Sequence, residues 1–96
     1  MKLIIIVYGE AMDAEILDLL QSNGQNEYTK WTKVQGKGKH SEPHLLSHVW
    51  PKANNALMTC VEDDIAEKIM TALREYKKNH LKEGVKAFLL PVEEII

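Results

Sequence analysis

The chain is poor in cysteine, in long apolar runs and in net charge, and each scarcity excludes a class of protein. A single cysteine, Cys60, cannot form a disulfide within the chain and fits a reducing compartment, so we expect a cytoplasmic protein. No run reaches the ~18 apolar residues that a membrane span requires, so no insertion into a membrane is predicted. A formal charge of −2 argues against general binding to nucleic acid.

Catalytic motifs are also missing. The sequence contains no Ser-His-Asp order, no paired-carboxylate motif and no Cys-x-x-Cys, so we do not predict an enzyme. The helix carboxylates are interpreted as a solvated face, and Cys60 as a small buried apolar residue. These carboxylates are Asp13, Glu15, Asp18, Glu67 and Glu75.

Apolar periodicity over the 96 residues predicts one domain, 1–96, with six elements in the order β-α-β-β-α-β. Asn23-Gly24 ends the first helix, and Asp63 or Asp64 caps the second, with Glu67 completing a capping box. The predicted elements are strand 3–8, helix 11–23, strand 27–35, strand 55–62, a helix from Asp63-Asp64 to about Asn79, and strand 85–92.

This order predicts an α+β, ferredoxin-like βαββαβ fold, in which two helices cover one face of a four-stranded antiparallel sheet. The first, third and fourth strands are apolar at consecutive positions, so both faces of the sheet carry apolar side chains. Because the helices cover only one face, we expect the other to pack against copies of the same chain, as a homotrimer.

The second strand ends in two glycines that alternate with lysines, in the run Gly36-Lys37-Gly38-Lys39. Glycine lets backbone N–H groups approach an anion, and the two lysines add positive charge. The pattern fits a phosphate-binding mouth, and it also fits a flexible hairpin. Lys30 and Lys33 extend the basic cluster, but nucleic-acid binding is disfavoured because the aromatic stacking motif of RNA-binding relatives is absent.

The loop 37–53 that follows is long and holds three of the four histidines, His40, His44 and His48. If Pro43 begins a short helix, His44 and His48 share a face and could chelate Zn²⁺, Cu²⁺ or Ni²⁺ together with His40. The alternative is a solvated loop whose histidines only titrate near neutrality. Trp50 is the candidate anchor for a protein partner, whereas Trp31 is expected to pack on the sheet.

Several motifs together resemble the nitrogen-regulatory PII signalling family over most of the chain: Met1-Lys2-Leu3-Ile4, an acidic helix closing on Gly24, Thr32-x-Val34-x-Gly36-x-Gly38, and Val61-x-Asp63-Asp64-Ile65. The resemblance implies a trimer with ATP or ADP in its intersubunit clefts, lined by Thr32, Gly36 and Gly38. It also implies a loop that docks on a transporter, an enzyme or another regulator.

The chain departs from the family pattern at its phosphate contacts. Lys39-His40 replaces a glutamine, the last strand is followed by Glu93-Glu94 rather than an arginine pair, and Arg74 is the only arginine in the sequence. We therefore expect a divergent member that either binds ATP or ADP only at micromolar to millimolar concentration or prefers a less charged ligand such as AMP or a cyclic nucleotide. The alternative is a metal-binding or metal-tolerance protein of the similarly folded CutA type that uses the loop histidines.

Overall fold

The computed structural model describes residues 1–37 and 53–96, which form a four-stranded antiparallel sheet with two helices on one face. The strand order is β2-β3-β1-β4. This arrangement confirms the ferredoxin-like prediction. In chain order the elements are β1 Lys2–Gly9, a 3₁₀ turn Glu10–Met12, α1 Asp13–Ser22, β2 Thr29–Val34, β3 Asn54–Val61, α2 Asp63–Lys78 and β4 Val85–Pro91.

The central strand β1 fixes the two faces of the sheet. It pairs with β3 from Lys2↔Val61 to Gly9↔Asn54 and with β4 from Lys2↔Pro91 to Tyr8↔Val85. Side chains alternate along each strand, so even-numbered residues of β1 point towards the helices and odd-numbered ones point away. The core is therefore formed by the even side of β1 and its neighbours together with both helices. Its largest fully buried members are Tyr8, Ile4, Ile6, Ile16, Leu20, Leu57 and Ile69.

The opposite side of the sheet, which we call the open face, is also apolar. No helix or loop of residues 1–37 and 53–96 covers it, and Trp31, Phe88 and Leu90 on it are 49%, 46% and 40% exposed. The prediction of two apolar faces is thus confirmed. Cys60 lies half-buried on this face and not in the core, which corrects its predicted place. The apolar residues of the open face are Leu3, Ile5, Val7, Trp31, Ala56, Met58, Cys60, Phe88 and Leu90, and Thr29 and Lys86 lie on the same face.

The start of β2 differs from its prediction. The strand begins at Thr29 and not at residue 27, because the carbonyl oxygen of Glu27 accepts a hydrogen bond from the Thr59 hydroxyl at 2.6 Å instead of joining the ladder. Gln25 Nε2 donates to the same hydroxyl oxygen at 2.7 Å. Side chains therefore satisfy the carbonyl of Glu27 before β2 begins.

The predicted capping box on α2 is wrong. Glu62 precedes the helix in an extended conformation, and no side chain caps the first turn. The Asp63 carboxylate instead pairs with the amino group of Met1 at 2.8 Å, because the start of β1 lies beside the end of β3. Asp63 still places negative charge at the positive end of the helix dipole.

Neither helix within the described residues has both the length and the apolar content needed to cross a membrane.

The core predicts how stability responds to truncation. Ile69→Ala removes a fully buried side chain between α2 and the sheet, and we expect it to lower the free energy of unfolding by about 2–5 kcal/mol. Leu81→Ala, at a residue that is 81% exposed, is the control and should change it by less than about 0.5 kcal/mol. Urea unfolding followed by circular dichroism measures both, and equal losses would contradict the placement of the core.

Candidate functional site

The predicted phosphate-binding residues within the described part of the chain lie together at the end of β2. Thr32 is near the end of the strand, and Gly36 and Lys37 follow the strand, all three exposed. The ladder is irregular here, with a bulge between Trp31 and Val34 and Lys33 at φ 55°. Gly38, Lys39, His40, His44, His48 and Trp50 lie outside the described residues, so their predicted roles stay predictions.

Gly36 is confined by packing on one side. A Cβ atom built on it would lie 3.2 Å from Nδ2 of Asn54, which is tighter than an ordinary contact. Val34 pairs with Asn54, so the same residue holds β2 and limits what Gly36 can carry. Any side chain at position 36 must displace Asn54 or turn away from it. The glycine therefore keeps its backbone exposed beside the side chain of Lys37.

Beside this mouth, on the helix side of the sheet, the carboxylate of Asp13 gathers donors from three strands. Oδ1 of Asp13 accepts hydrogen bonds from Tyr8 Oη at 2.6 Å and from Asn55 Nδ2 at 3.1 Å. Lys30 Nζ lies 3.2 Å from Oδ1 and 3.0 Å from Oδ2. We call Tyr8, Asp13, Lys30 and Asn55 the Asp13 cluster. It links β1, α1, β2 and β3 through one side chain.

The electrostatics of the Asp13 cluster favour an ionised carboxylate. Burial acts to raise the pKa of Asp13, but the hydrogen bonds from Tyr8, Lys30 and Asn55 and the charge of Lys30 outweigh it and lower the pKa. Burial, and then the hydrogen bond to this carboxylate, raises the pKa of Tyr8. Tyr8 therefore stays a donor and Asp13 an acceptor throughout the neutral range.

The Asp13 cluster corrects two interpretations of the sequence. Asp13 is not on a solvated face, and Lys30 is not part of the exposed basic cluster, because the two side chains pair and are only 29% and 23% exposed. Glu15 also has a partner, the hydroxyl of Tyr76 at 2.8 Å. The sequence does contain an indication that Lys30 faces the helices. Side chains alternate along a strand, so Lys30 points to the opposite side from its neighbours Thr29 and Trp31.

A cavity of about 350 Å³ opens at the other end of β2. It is open to solvent and is lined by apolar Leu3, Met58 and Cys60, by Tyr28, and by the polar residues Gln25, Glu27, Thr29 and Thr59. This volume is within the usual range for small-molecule sites. Along β3, Met58 and Cys60 of the cavity are four and six residues from Asn54, the neighbour of Gly36, so at about 3.3 Å per strand residue the cavity lies roughly 13–20 Å from the glycine mouth.

Metal ligation finds no support in the part of the chain that the structure describes. No group of three or more histidine, cysteine, aspartate or glutamate side chains there is placed to hold an ion. Cys60 and Asp13 cannot share a metal ion, because they lie on opposite sides of the sheet. The predicted ligands His40, His44 and His48 are outside this part.

Comparison with known proteins identifies the relatives of this chain. The model of the family described as "Nitrogen regulatory protein P-II" matches residues 1–96. None of the curated proteins matches the chain.

Solved structures share the fold at low identity. A PII-like signalling protein from Thermus thermophilus is 25% identical, with a TM-score of 0.70 over 92% of this chain and 82% of that one. CPII from Thiomonas intermedia, bound to ADP and bicarbonate, is 21% identical, with a TM-score of 0.69 over 97% and 88%. CPII bound to ADP, AMP and bicarbonate is 20% identical, with a TM-score of 0.70 over 99% and 94%.

The lowered pKa of Asp13 predicts a pH-dependent contribution to stability. Because the folded-state pKa is below the unfolded one, the ionised carboxylate stabilises the fold above about pH 4, and the contribution is lost as the pH falls through the folded-state pKa. We expect Asp13→Asn to lower the free energy of unfolding by about 1–3 kcal/mol at pH 7 and by progressively less below pH 4. Urea unfolding across this range measures the difference. Asp18→Asn, on the exposed side of α1, is the control, and a loss for Asp13→Asn that does not vary with pH would contradict the assignment.

Proposed function

We propose that this chain, which belongs to the nitrogen regulatory protein P-II family, binds an adenine nucleotide in clefts between the subunits of a trimer. Through the loop 37–53 it signals the bound state to a partner protein, such as a transporter or an enzyme. Its family is regulatory, and the activity proposed is regulation in the cytoplasm and not catalysis.

The exposed backbone of Gly36 beside Lys37 is the observation that carries nucleotide binding. Backbone N–H groups and a lysine are donors that suit a phosphate, and glycine at position 36 leaves the backbone uncovered where a larger residue would crowd Asn54. The likeness to CPII, whose structures contain ADP or ADP and AMP, supports an adenine nucleotide as the ligand. Gly38 and Lys39 continue the proposed phosphate-binding run in the sequence, and Thr32 precedes it near the end of β2.

A second copy of the chain completes the proposed site. The cavity between Leu3, Tyr28 and Met58 is large enough for an adenine base and lies at the far end of β2 from Gly36. In the proposed cleft, the cavity of one subunit takes the base and the glycine mouth of its neighbour takes the phosphates.

The open face supports the trimer. Apolar side chains from all four strands lie on it, and Trp31, Phe88 and Leu90 would each expose at least 40% of their surface in a single chain. An apolar surface of this extent marks an interface in a soluble protein. Closed rotational symmetry would bury it against two further copies.

Signalling through the loop follows from where the proposed ligand contacts the chain. Residues 35–37 and 53 lead into and out of the loop, and Val34↔Asn54 is the last pair of the ladder before it. A phosphate at Gly36 therefore contacts the base of the loop directly. A nucleotide that binds one loop conformation better than another shifts the loop towards that conformation, and a partner anchored on Trp50 reads the change.

A substitution at Gly36 tests nucleotide binding. Gly36→Val adds a branched side chain against Asn54 and over the backbone donors, so we expect ADP affinity to fall by at least about tenfold, whereas Ala14→Val on the exposed side of α1 should leave it unchanged. Lys37→Ala should weaken ADP more than Lys77→Ala does, since only Lys37 adjoins the mouth. Isothermal titration calorimetry with ATP, ADP, AMP and Zn²⁺ on the wild-type chain and these variants measures this.

Two results of the calorimetry would overturn the assignment. Wild-type protein that binds no adenine nucleotide at millimolar concentration would reject nucleotide binding, and Zn²⁺ binding in the same panel would then favour the loop histidines. Tight binding that survives Gly36→Val unchanged would move the phosphate site away from β2.

The open face predicts both the oligomeric state and how to abolish it. We expect light scattering to give three times the 11.0 kDa chain mass. Phe88→Glu places a charge on the open face and should yield monomers that remain folded, because Phe88 is 46% exposed within one chain. Leu81→Glu, off the sheet and 81% exposed, should leave the trimer intact. A wild-type monomer at micromolar concentration would contradict both the trimer and the shared cleft.

A further inference from the structure

We infer that Asp13 is a positioning residue for the proposed phosphate-binding end of β2 and that it acts through its ion pair with Lys30. The inference rests on the proposed nucleotide function and adds a residue that touches no ligand. Its basis is the Asp13 cluster, which joins the strands on both sides of the loop to the first turn of α1.

Lys30 connects β2 to the first helix at the point where the pairing of β2 with β3 becomes irregular. The pairs of β2 with β3 are Thr29↔Met58, Lys30↔Leu57 and Trp31↔Ala56, and after the bulge the ladder resumes at Val34↔Asn54. Lys30 is the side chain by which β2 binds the start of α1, and it lies just before the irregular stretch. The position of Gly36 depends on this tie upstream of the bulge and on the strand pair downstream of it.

The other side of the loop is held by the same carboxylate. Asn55, at the start of β3, donates Nδ2 to Asp13 and is only 4% exposed. A flipped amide would put its oxygen against the carboxylate, so the orientation of Asn55 is fixed by Asp13. The backbone N–H of Glu10 also donates to the carbonyl of Ala53 at 3.1 Å. Both chain segments that lead to the loop are therefore anchored to residues 10–13.

The chemistry of the Asp13–Lys30 pair favours positioning over stability. Placing a lysine and an aspartate at about one quarter exposure removes much of their hydration, and apolar side chains of similar size would often stabilise such a place equally well. The ion pair fixes the orientation of the Lys30 side chain. Lys30 Nζ contacts both carboxylate oxygens of Asp13, and Tyr8 and Asn55 hold Oδ1 of that carboxylate in place. Loss of the pair should loosen the end of β2 selectively.

A double-mutant cycle on the full chain tests the inference. Asp13→Asn keeps an acceptor for Tyr8 and removes the charge, and Lys30→Met keeps the aliphatic stem and removes the ammonium. We expect each to raise the dissociation constant of ADP about tenfold and the double variant to raise it no further than either single variant. Asp18→Asn and Lys68→Gln, both exposed, are the charge-matched controls and should not change ADP binding. Unchanged ADP affinity in the single variants, or fully additive losses in the double variant, would overturn the inference.

Hydrogen exchange separates this inference from the proposed function. In Asp13→Asn we expect the backbone amides of residues 31–36 to exchange about tenfold faster or more, while those of β1 change only as much as global stability does. Equal acceleration in both strands would overturn positioning by Asp13. If the wild-type chain binds no ADP, the proposed function fails, and the exchange pattern alone decides whether Asp13 positions β2.

Discussion

One constraint dominates the structure: the sheet is apolar on both faces, but the helices cover only one of them. Two helices cover one face of the sheet, yet β1, β3 and β4 are apolar on both, which leaves the open face without a partner among the described residues of the chain. In the proposed trimer, burying that face against further copies provides most of the driving force for assembly, since apolar area removed from water is the dominant favourable contribution. Assembly is also what brings the cavity beside Tyr28 and the glycine mouth at Gly36 together in our proposal.

The second constraint is local and polar. The end of β2 has a bulge, a residue at positive φ and a single described strand pair beyond it, so the ladder alone holds it weakly. The carboxylate of Asp13 compensates by binding Lys30 and Asn55 on the two strands that frame the loop. A ligand at Gly36 would thus meet a backbone already fixed at its base, which lowers the entropy lost on binding.

The sequence was sufficient for the fold and for part of the candidate site. Continuous apolar strands, helical spacing and the glycine pair predicted the element order, the second apolar face and the place of Gly36. It was not sufficient for Asp13, because a carboxylate at the start of a helix looks solvated until the register of β2 turns Lys30 towards it. Nor did it predict the late start of β2, which depends on the long-range contact between Thr59 and Glu27.

The central claim is that the nucleotide site exists only between subunits. Native mass spectrometry of the wild-type chain and of Phe88→Glu, each titrated with ADP, tests it most directly. We expect trimers that carry up to three ADP molecules and monomers of the variant that carry none. ADP bound to the folded monomer, or wild-type trimers that stay empty at millimolar ADP, would contradict the claim.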